Sequence, residues 1–200
     1  MAITRGFTGR RERDPRLPPG QYDARDQWPV LSAEATPHLD TSTWTFEVRG
    51  LVENPVTWSW DEIHALPEAT FNGDIHCVTT WSKLDVTFRG VSADTLLDAA
   101  RPLPSATHVM IHSHTGYTTN LPLADITGGQ AYLVWDFGGA PLSADHGGPA
   151  RFLVPHLYFW KSAKWASAIE LMDHDEHGFW ERNGYHDHGD PWTEERYQGD

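Results

Sequence analysis

"AYLVWDFGGAPLSADHGGPARFLVP", residues 131–155, decides the fold class. Its two ends, 131–137 and 150–155, are short runs rich in β-branched and aromatic residues, which read as strands. Between them lie the turns "FGGAP" and "HGGP" and no helical period. Strand follows strand through Gly/Pro turns, so this part of the chain does not alternate strand and helix around a parallel sheet.

The same pattern extends in both directions. Strand-like runs occur at 44–50 ("WTFEVRG"), 71–77 ("FNGDIHC"), 108–113 ("HVMIHS"), 117–123 ("YTTNLPL") and 168–173 ("AIELMD"). Helices are few. In "SWDEIHALP", Ser59 stands three residues before Glu62, a capping-box pattern, and Pro67 ends the short helix. In "VSADTLLDAARP", Ser92 is the N-cap, Leu96, Leu97 and Ala100 share one face, and Pro102 terminates. No internal repeat is visible. The expected fold class is α+β, with β-rich mixed sheets and few short helices.

Two hundred residues suit one domain with an extended arm. Residues 1–24 are rich in Pro, Gly and charge and read as an N-terminal arm, mobile or laid over a body spanning 25–200. The tail from His174 is polar but carries Phe179, Trp180, Tyr185 and Trp192, a density of aromatics expected to dock. A hydrophobic content of 39% with ten tryptophans supports a sizeable core. The formal charge of -13 argues against nucleic-acid or anionic-membrane partners. No run approaches the ~18 apolar residues of a membrane span, and the N-terminus shows no apolar signal region, so the expected location is cytoplasmic.

The single cysteine, Cys77, closes a strand and precedes the hydroxyl-rich turn "VTTWS". It reads as a small buried hydrophobe, a nucleophile or a metal ligand. His76 is adjacent, but strand neighbours point to opposite faces, which places it poorly as a base. His112 or His146 would have to meet Cys77 in space for hydrolase chemistry. The tail histidines His174, His177, His186 and His188 offer zinc ligands without a zinc spacing. "DHGGPARFLVPHLYFWKSAKW" (145–165) joins permissive glycines to Arg151, Lys161 and Lys164, a concentration of positive charge suited to an anion.

Taken in order, "CVTTWSKLDVTFRGV", "TGYTTNLPL", "DHGGPARFLVP" and "KSAKW" resemble the molybdopterin-binding domain of the sulfite oxidase family, over a stretch running from about Arg25 to the C-terminus. The resemblance extends to the short bacterial members that consist of this domain alone. It implies that the Cys77 thiolate binds molybdenum beside the dithiolene of one pyranopterin, in a mononuclear molybdenum-molybdopterin cofactor. It further implies that Ser113, His146, Arg151, Ser162, Ala163 and Lys164 contact the cofactor or its phosphate. Tyr117 matches an active-site tyrosine. "RDQWPV" (25–30) resembles the "RNHLPV" segment of sulfite oxidases, which brings Arg25 toward the substrate and folds part of the arm over the cofactor.

The sequence departs from that pattern after the cysteine. Sulfite oxidases place an arginine there for their dianionic substrate; here Lys83 is the nearest cation, no arginine occurs before Arg89, and Phe88 replaces a tryptophan. The implied activity is two-electron oxygen-atom transfer with a small-molecule oxygen donor or acceptor, its substrate open. No haem motif is present, so electrons are expected to pass to a separate electron-transfer partner. The rival expectation from another class is a non-catalytic binding or scaffold protein that keeps the fold.

Overall fold

The structure, a computed structural model, describes residues 14–200. The arm before residue 14, with Arg10 and Arg11, lies outside them. The described strands are, in order, β1 (Tyr22–Asp23), β2 (Thr45–Gly50), β3 (Val56–Ser59), β4 (Ala69–His76), β5 (Trp81–Ser92) and β6 (His108–Ser113). They continue with β7 (Thr118–Pro122), β8 (Tyr132–Phe137), β9 (Ala140–Pro141), β10 (Arg151–Leu153) and β11 (Ala166–Met172). The α-helices are α1 (Trp60–His64), α2 (Ala93–Ala100) and α3 (Phe179–Arg182).

The strands form two mixed sheets. One has the order β1-β5-β8-β10, with β4 also on β5 and β9 on β8; the other runs β3-β2-β11-β6-β7. In the second sheet, β11 pairs parallel with β2 and antiparallel with β6. The parallel pairing joins residues 45–50 to residues 166–172, so the first sheet, apart from β1, is built within that crossover. This is the α+β, β-rich architecture expected from the turns.

Local signals are met closely. Ser59 and Glu62 form the complete capping box of α1. The Ser92 side chain accepts from Thr95 N at the start of α2, and Leu96, Leu97 and Ala100 are buried on its inner face. α2 ends one residue before the expected stop: Arg101 adopts a left-handed φ of 58° and donates to Leu97 O, and Pro102 follows.

The longest strand, β5, is not among the expected elements, although Val86 and Phe88 are buried beside exposed or half-buried neighbours. Its period breaks at two places. Asp85 has φ 55°, and the pairing with β8 shifts between Arg89 and Gly90. Gly90 is required there, because a Cβ would lie 2.0 Å from Leu133 O.

Apolar side chains collect in two clusters. One packs the second sheet against α1 and α2, with Phe46, Val48, Leu96, Ile111 and Ile169 fully buried. The other lies on the first sheet and surrounds Cys77 with Ile75, Trp81, Phe88, Tyr158 and Trp160. Each fully buried aromatic or aliphatic side chain stabilises by about 1.5–3 kcal/mol.

Candidate active site

Cys77 follows β4 and opens a tight turn. Its N–H donates to Trp81 O (2.8 Å), and its carbonyl accepts from Thr80 N (3.0 Å) and Gln21 Nε2 (3.0 Å). Thr80 holds φ 76° in the turn. Three hydrogen bonds and a left-handed residue therefore set the direction of one side chain. Its Sγ lies 3.2 Å from Thr79 Oγ1 and lines a cavity of about 250 Å³. Burial pushes the thiol pKa up, while Thr79, Arg151 and Arg196 oppose that shift. Such a thiol keeps its proton at neutral pH until a cation displaces it.

Arg151 forms part of the same cavity and is 1% exposed. Its two terminal nitrogens donate to the carbonyls of His146 (2.9 Å) and Ser162 (2.6 Å), and its guanidinium lies 3.9 Å over the Phe159 ring. Its Nε has no partner. Burial lowers its pKa to about 9, so it remains charged at neutral pH, and only the nearby Tyr117 and Cys77 act to raise it. Lys164 lines the cavity beside it, donates to Asp145 O (2.6 Å), and is lowered to about 8 by burial and by Arg151. Two buried or half-buried cations on one cavity, the arginine bonded to no carboxylate, make a site for an anion.

The "HGGPAR" turn positions these groups. Gly147 has φ +104°, and a Cβ on it would lie 3.0 Å from Lys164 Cα and 3.0 Å from Arg151 Cβ. Only glycine lets that loop pack against residue 164. His146 Nε2 donates to Trp28 O (3.2 Å), and Nδ1 accepts from Ser143 Oγ (2.9 Å). Burial lowers the pKa of His146, which suits this neutral tautomer. Its ring stacks on Trp28 at 3.8 Å and 22°. Ser162 and Ala163 line the cavity; the Ser162 hydroxyl accepts from Val154 N (2.9 Å), so its backbone and carbonyl do the local work.

Tyr117 also lines the cavity, with its hydroxyl donating to Trp160 O (2.7 Å). Burial, aided by Glu181, raises its pKa well above the ordinary value, so it is a proton donor and not a base. The structure thus brings Cys77, Tyr117, His146, Arg151, Ser162, Ala163 and Lys164 onto one cavity. Ser113 and Arg25 stand apart from its lining. Ser113 bonds Thr115 Oγ1 (2.8 Å) in the turn after β6. Arg25 is exposed, has φ 53°, and offers its carbonyl to Lys83 Nζ (2.7 Å). Lys83 is therefore committed to holding the arm.

Lys161 corrects the reading of the basic stretch as one anion cradle. Its Nζ is fully buried and lies 2.6 Å from Glu181 Oε1, and it donates to Asn120 O and Asp187 O. Its neighbour in that 3-10 turn, Trp160, donates Nε1 to the same carboxylate oxygen (2.9 Å). The charge serves to dock α3 and the tail.

Other wall groups fall outside every motif quoted above. Leu31 and Glu34, in the extended segment that continues the arm toward β2, line the cavity, and Thr115 donates to Glu34. From the tail, Trp180 and Tyr185 line it, while Arg196 donates to Val78 O and Pro19 O behind the cysteine turn. The tail aromatics were the only advance signal. The tail histidines are paired with carboxylates: His174 with Asp173, His177 with Asp187, and His188 with Asp125 and Glu195. Among the described residues, no group of three or more His, Cys, Asp or Glu is arranged to hold a metal ion.

Fold and site together define an oxidoreductase domain of the molybdopterin type. Residues 33–180 match the family described as oxidoreductase molybdopterin binding domain, and the chain belongs to that family. It is 41% identical over 196 residues to the oxidoreductase YuiH of Bacillus subtilis, covering 98% of each chain. It is 29% identical over 159 residues to the protein-methionine-sulfoxide reductase catalytic subunit MsrP of Gluconobacter oxydans, covering 70% of this chain and 50% of that one, so the chain spans half the length of that relative. The sulfane dehydrogenase SoxCD of Paracoccus pantotrophus shares the fold at a TM-score of 0.65 and 18% identity, over 74% of this chain and 42% of that one. No helix among the described residues is long and apolar enough to cross a membrane.

Proposed function

We propose that the chain is a molybdenum-dependent oxidoreductase that binds one mononuclear pyranopterin cofactor through Cys77. One observation carries the proposal: the chain's only thiol and a buried, carboxylate-free arginine with an unpartnered Nε converge on one cavity. A metal-thiolate centre with an anionic cofactor satisfies both. When bound, the cofactor would supply two-electron oxygen-atom transfer between molybdenum oxidation states VI and IV.

The chain's own groups then have defined tasks. Cys77 gives up its proton to become the soft ligand. Arg151 and Lys164 neutralise the cofactor's negative groups, and His146 clamps the arm at the wall through Trp28. Tyr117 retains its proton and would donate at the reacting end by turning its hydroxyl away from Trp160 O. Arg25, exposed and outside the cavity lining, is assigned no contact with the substrate.

A neutral substrate fits the remaining wall better than sulfite. Trp28, Leu31, Trp180 and Tyr185 are apolar or aromatic, and Glu34 adds negative charge where a dianion would need cations. A thioether S-oxide, or the thioether in the reverse direction, meets that chemistry. A separate one-electron carrier and a cytoplasmic location complete the proposal.

Metal analysis tests the reading, with wild type beside Cys77→Ser, after expression in a host that makes molybdopterin. Molybdenum near one per chain with pterin fluorescence is expected in wild type, and a changed sulfur-to-metal absorption in Cys77→Ser. Wild-type protein with neither molybdenum nor pterin would refute it.

A further inference from the structure

Among the described residues, the large hydrophobic side chains left exposed are Tyr22, Val30, Leu31, Trp192 and Tyr197. All five belong to the arm or the tail, the two segments that wall the cavity. Leu31 lines the cavity itself. Trp192 has another setting. It is 50% exposed, and its ring meets His76 edge-to-face with centroids 6.1 Å apart.

His76 is the residue before Cys77 and is 5% exposed. Its Nδ1 bonds Ser82 Oγ (2.8 Å), Ser82 Oγ reaches Gln21 Oε1 (3.4 Å), and Gln21 Nε2 donates to Cys77 O (3.0 Å). A continuous path of one covalent link and packed contacts therefore runs from the thiolate-bearing residue to an indole at the surface. Electron tunnelling favours such gap-free paths over jumps through solvent.

The surface around Trp192 is acidic. Residues 183–200 hold Asp187, Asp190, Glu194, Glu195 and Asp200 against one arginine, Arg196. The carboxylates of Asp187, bonded to His177, and of Glu194, 3.9 Å from Arg196 Nη2, are each 50% exposed. Arg196 is turned inward, 14% exposed, onto Val78 O and Pro19 O. Glu195 and the protonated His188 neutralise one another within the tail. What remains outward is an aromatic residue flanked by negative charge. Small apolar contacts rimmed by charge suit brief encounters whose rate depends on electrostatic steering.

We propose that the face around Trp192 docks the redox partner, a small basic protein with a one-electron centre near its surface. This rests on the reading of Cys77 as the molybdenum ligand. Two electrons per turnover cross the face one at a time, each reducing one carrier molecule, or oxidising one when the reaction runs in reverse.

Cytochrome c, a basic haem protein, is the probe. Holoenzyme reduced with titanium(III) is mixed with ferricytochrome c in a stopped-flow instrument, for wild type, Trp192→Ala and Glu194→Lys/Asp200→Lys. Ferricyanide, a small anion, serves as the control oxidant. At low salt the double charge variant should reduce cytochrome c at least tenfold more slowly than wild type, with the gap closing at high salt. Trp192→Ala should be at least threefold slower at all salt concentrations. Molybdenum content should be unchanged in both, and ferricyanide rates should not fall. Loaded variants that reduce cytochrome c at the wild-type rate would overturn the docking face alone. A Leu31→Ser variant that slows it when these do not would place docking at the cavity mouth. Wild-type protein without molybdenum would overturn the underlying reading, and the docking face with it.

Discussion

Arg151 and Lys161 are cations ten residues apart, both essentially withdrawn from water, and they are treated in opposite ways. Lys161 meets a buried carboxylate at 2.6 Å and uses its other protons on the carbonyls of Asn120 and Asp187. Arg151 meets only carbonyls, and its Nε is left without an acceptor. A folded chain that supplies a counterion to one buried cation and withholds it from the next separates staple from site. The paired charge organises the tail; the unpaired one is compensated only when an anion arrives.

The largest expected effect breaks the paired side. Glu181→Ala leaves the Lys161 ammonium buried without a carboxylate, and urea denaturation should show a loss of about 3–5 kcal/mol. If the loss is below about 1 kcal/mol, the pair is not the staple. The tail should also become the first segment cut by limited proteolysis, because α3 would lose its anchor.

Arg151→Met sharpens the other side. Removing an uncompensated charge offsets the loss of two hydrogen bonds, each worth about 1.5–3 kcal/mol to a charged group, so the fold should be disturbed less than by Glu181→Ala. Bound molybdenum and pterin should fall at least tenfold, read by metal analysis on folded protein. Retained cofactor with a collapsed fold would reverse the assignment of the two cations.

The smallest effect lies in the tail. Asp125, then burial in opposition and Glu195 in support, sets the His188 pKa, raised from the ordinary value to about 9. A raised folded-state pKa gives stability that is fully present below the unfolded value near 6.5. It is lost as pH rises through about 9. Wild type should therefore lose stability between about pH 7 and 9, and His188→Gln should flatten that slope in thermal melts across the range. The histidine is 39% exposed, so solvent screens the pair and the slope should be shallow.

Much of the candidate site was legible. Cys77, Tyr117, His146, Arg151, Ser162, Ala163 and Lys164 belong to local motifs, and all reach one cavity. A local motif encodes its own turn: Gly147 must be glycine for the loop to meet Lys164, and that requirement is written in one position. Ser113 and Arg25 show the limit. Their motifs specify a strand end and an arm, but the distance from that backbone to the cavity depends on packing from elsewhere. β5 was hidden for a related reason, since a left-handed Asp85 and a register shift interrupt the alternation that would announce it.

Glycine turns, caps and alternation are short-range properties, and they determined from the sequence alone that this chain is a β-rich α+β protein with one thiol and a basic turn as its chemical resources. Which cation would be neutralised, which aromatics would wall the cavity, and that the tail would bring Arg196 behind the cysteine were decided only by tertiary structure. Those outcomes depend on contacts between residues far apart in the chain, such as Lys161 with Glu181 and Arg196 with Val78. Charge pairing acts through space, and no local pattern records which distant carboxylate the fold will deliver.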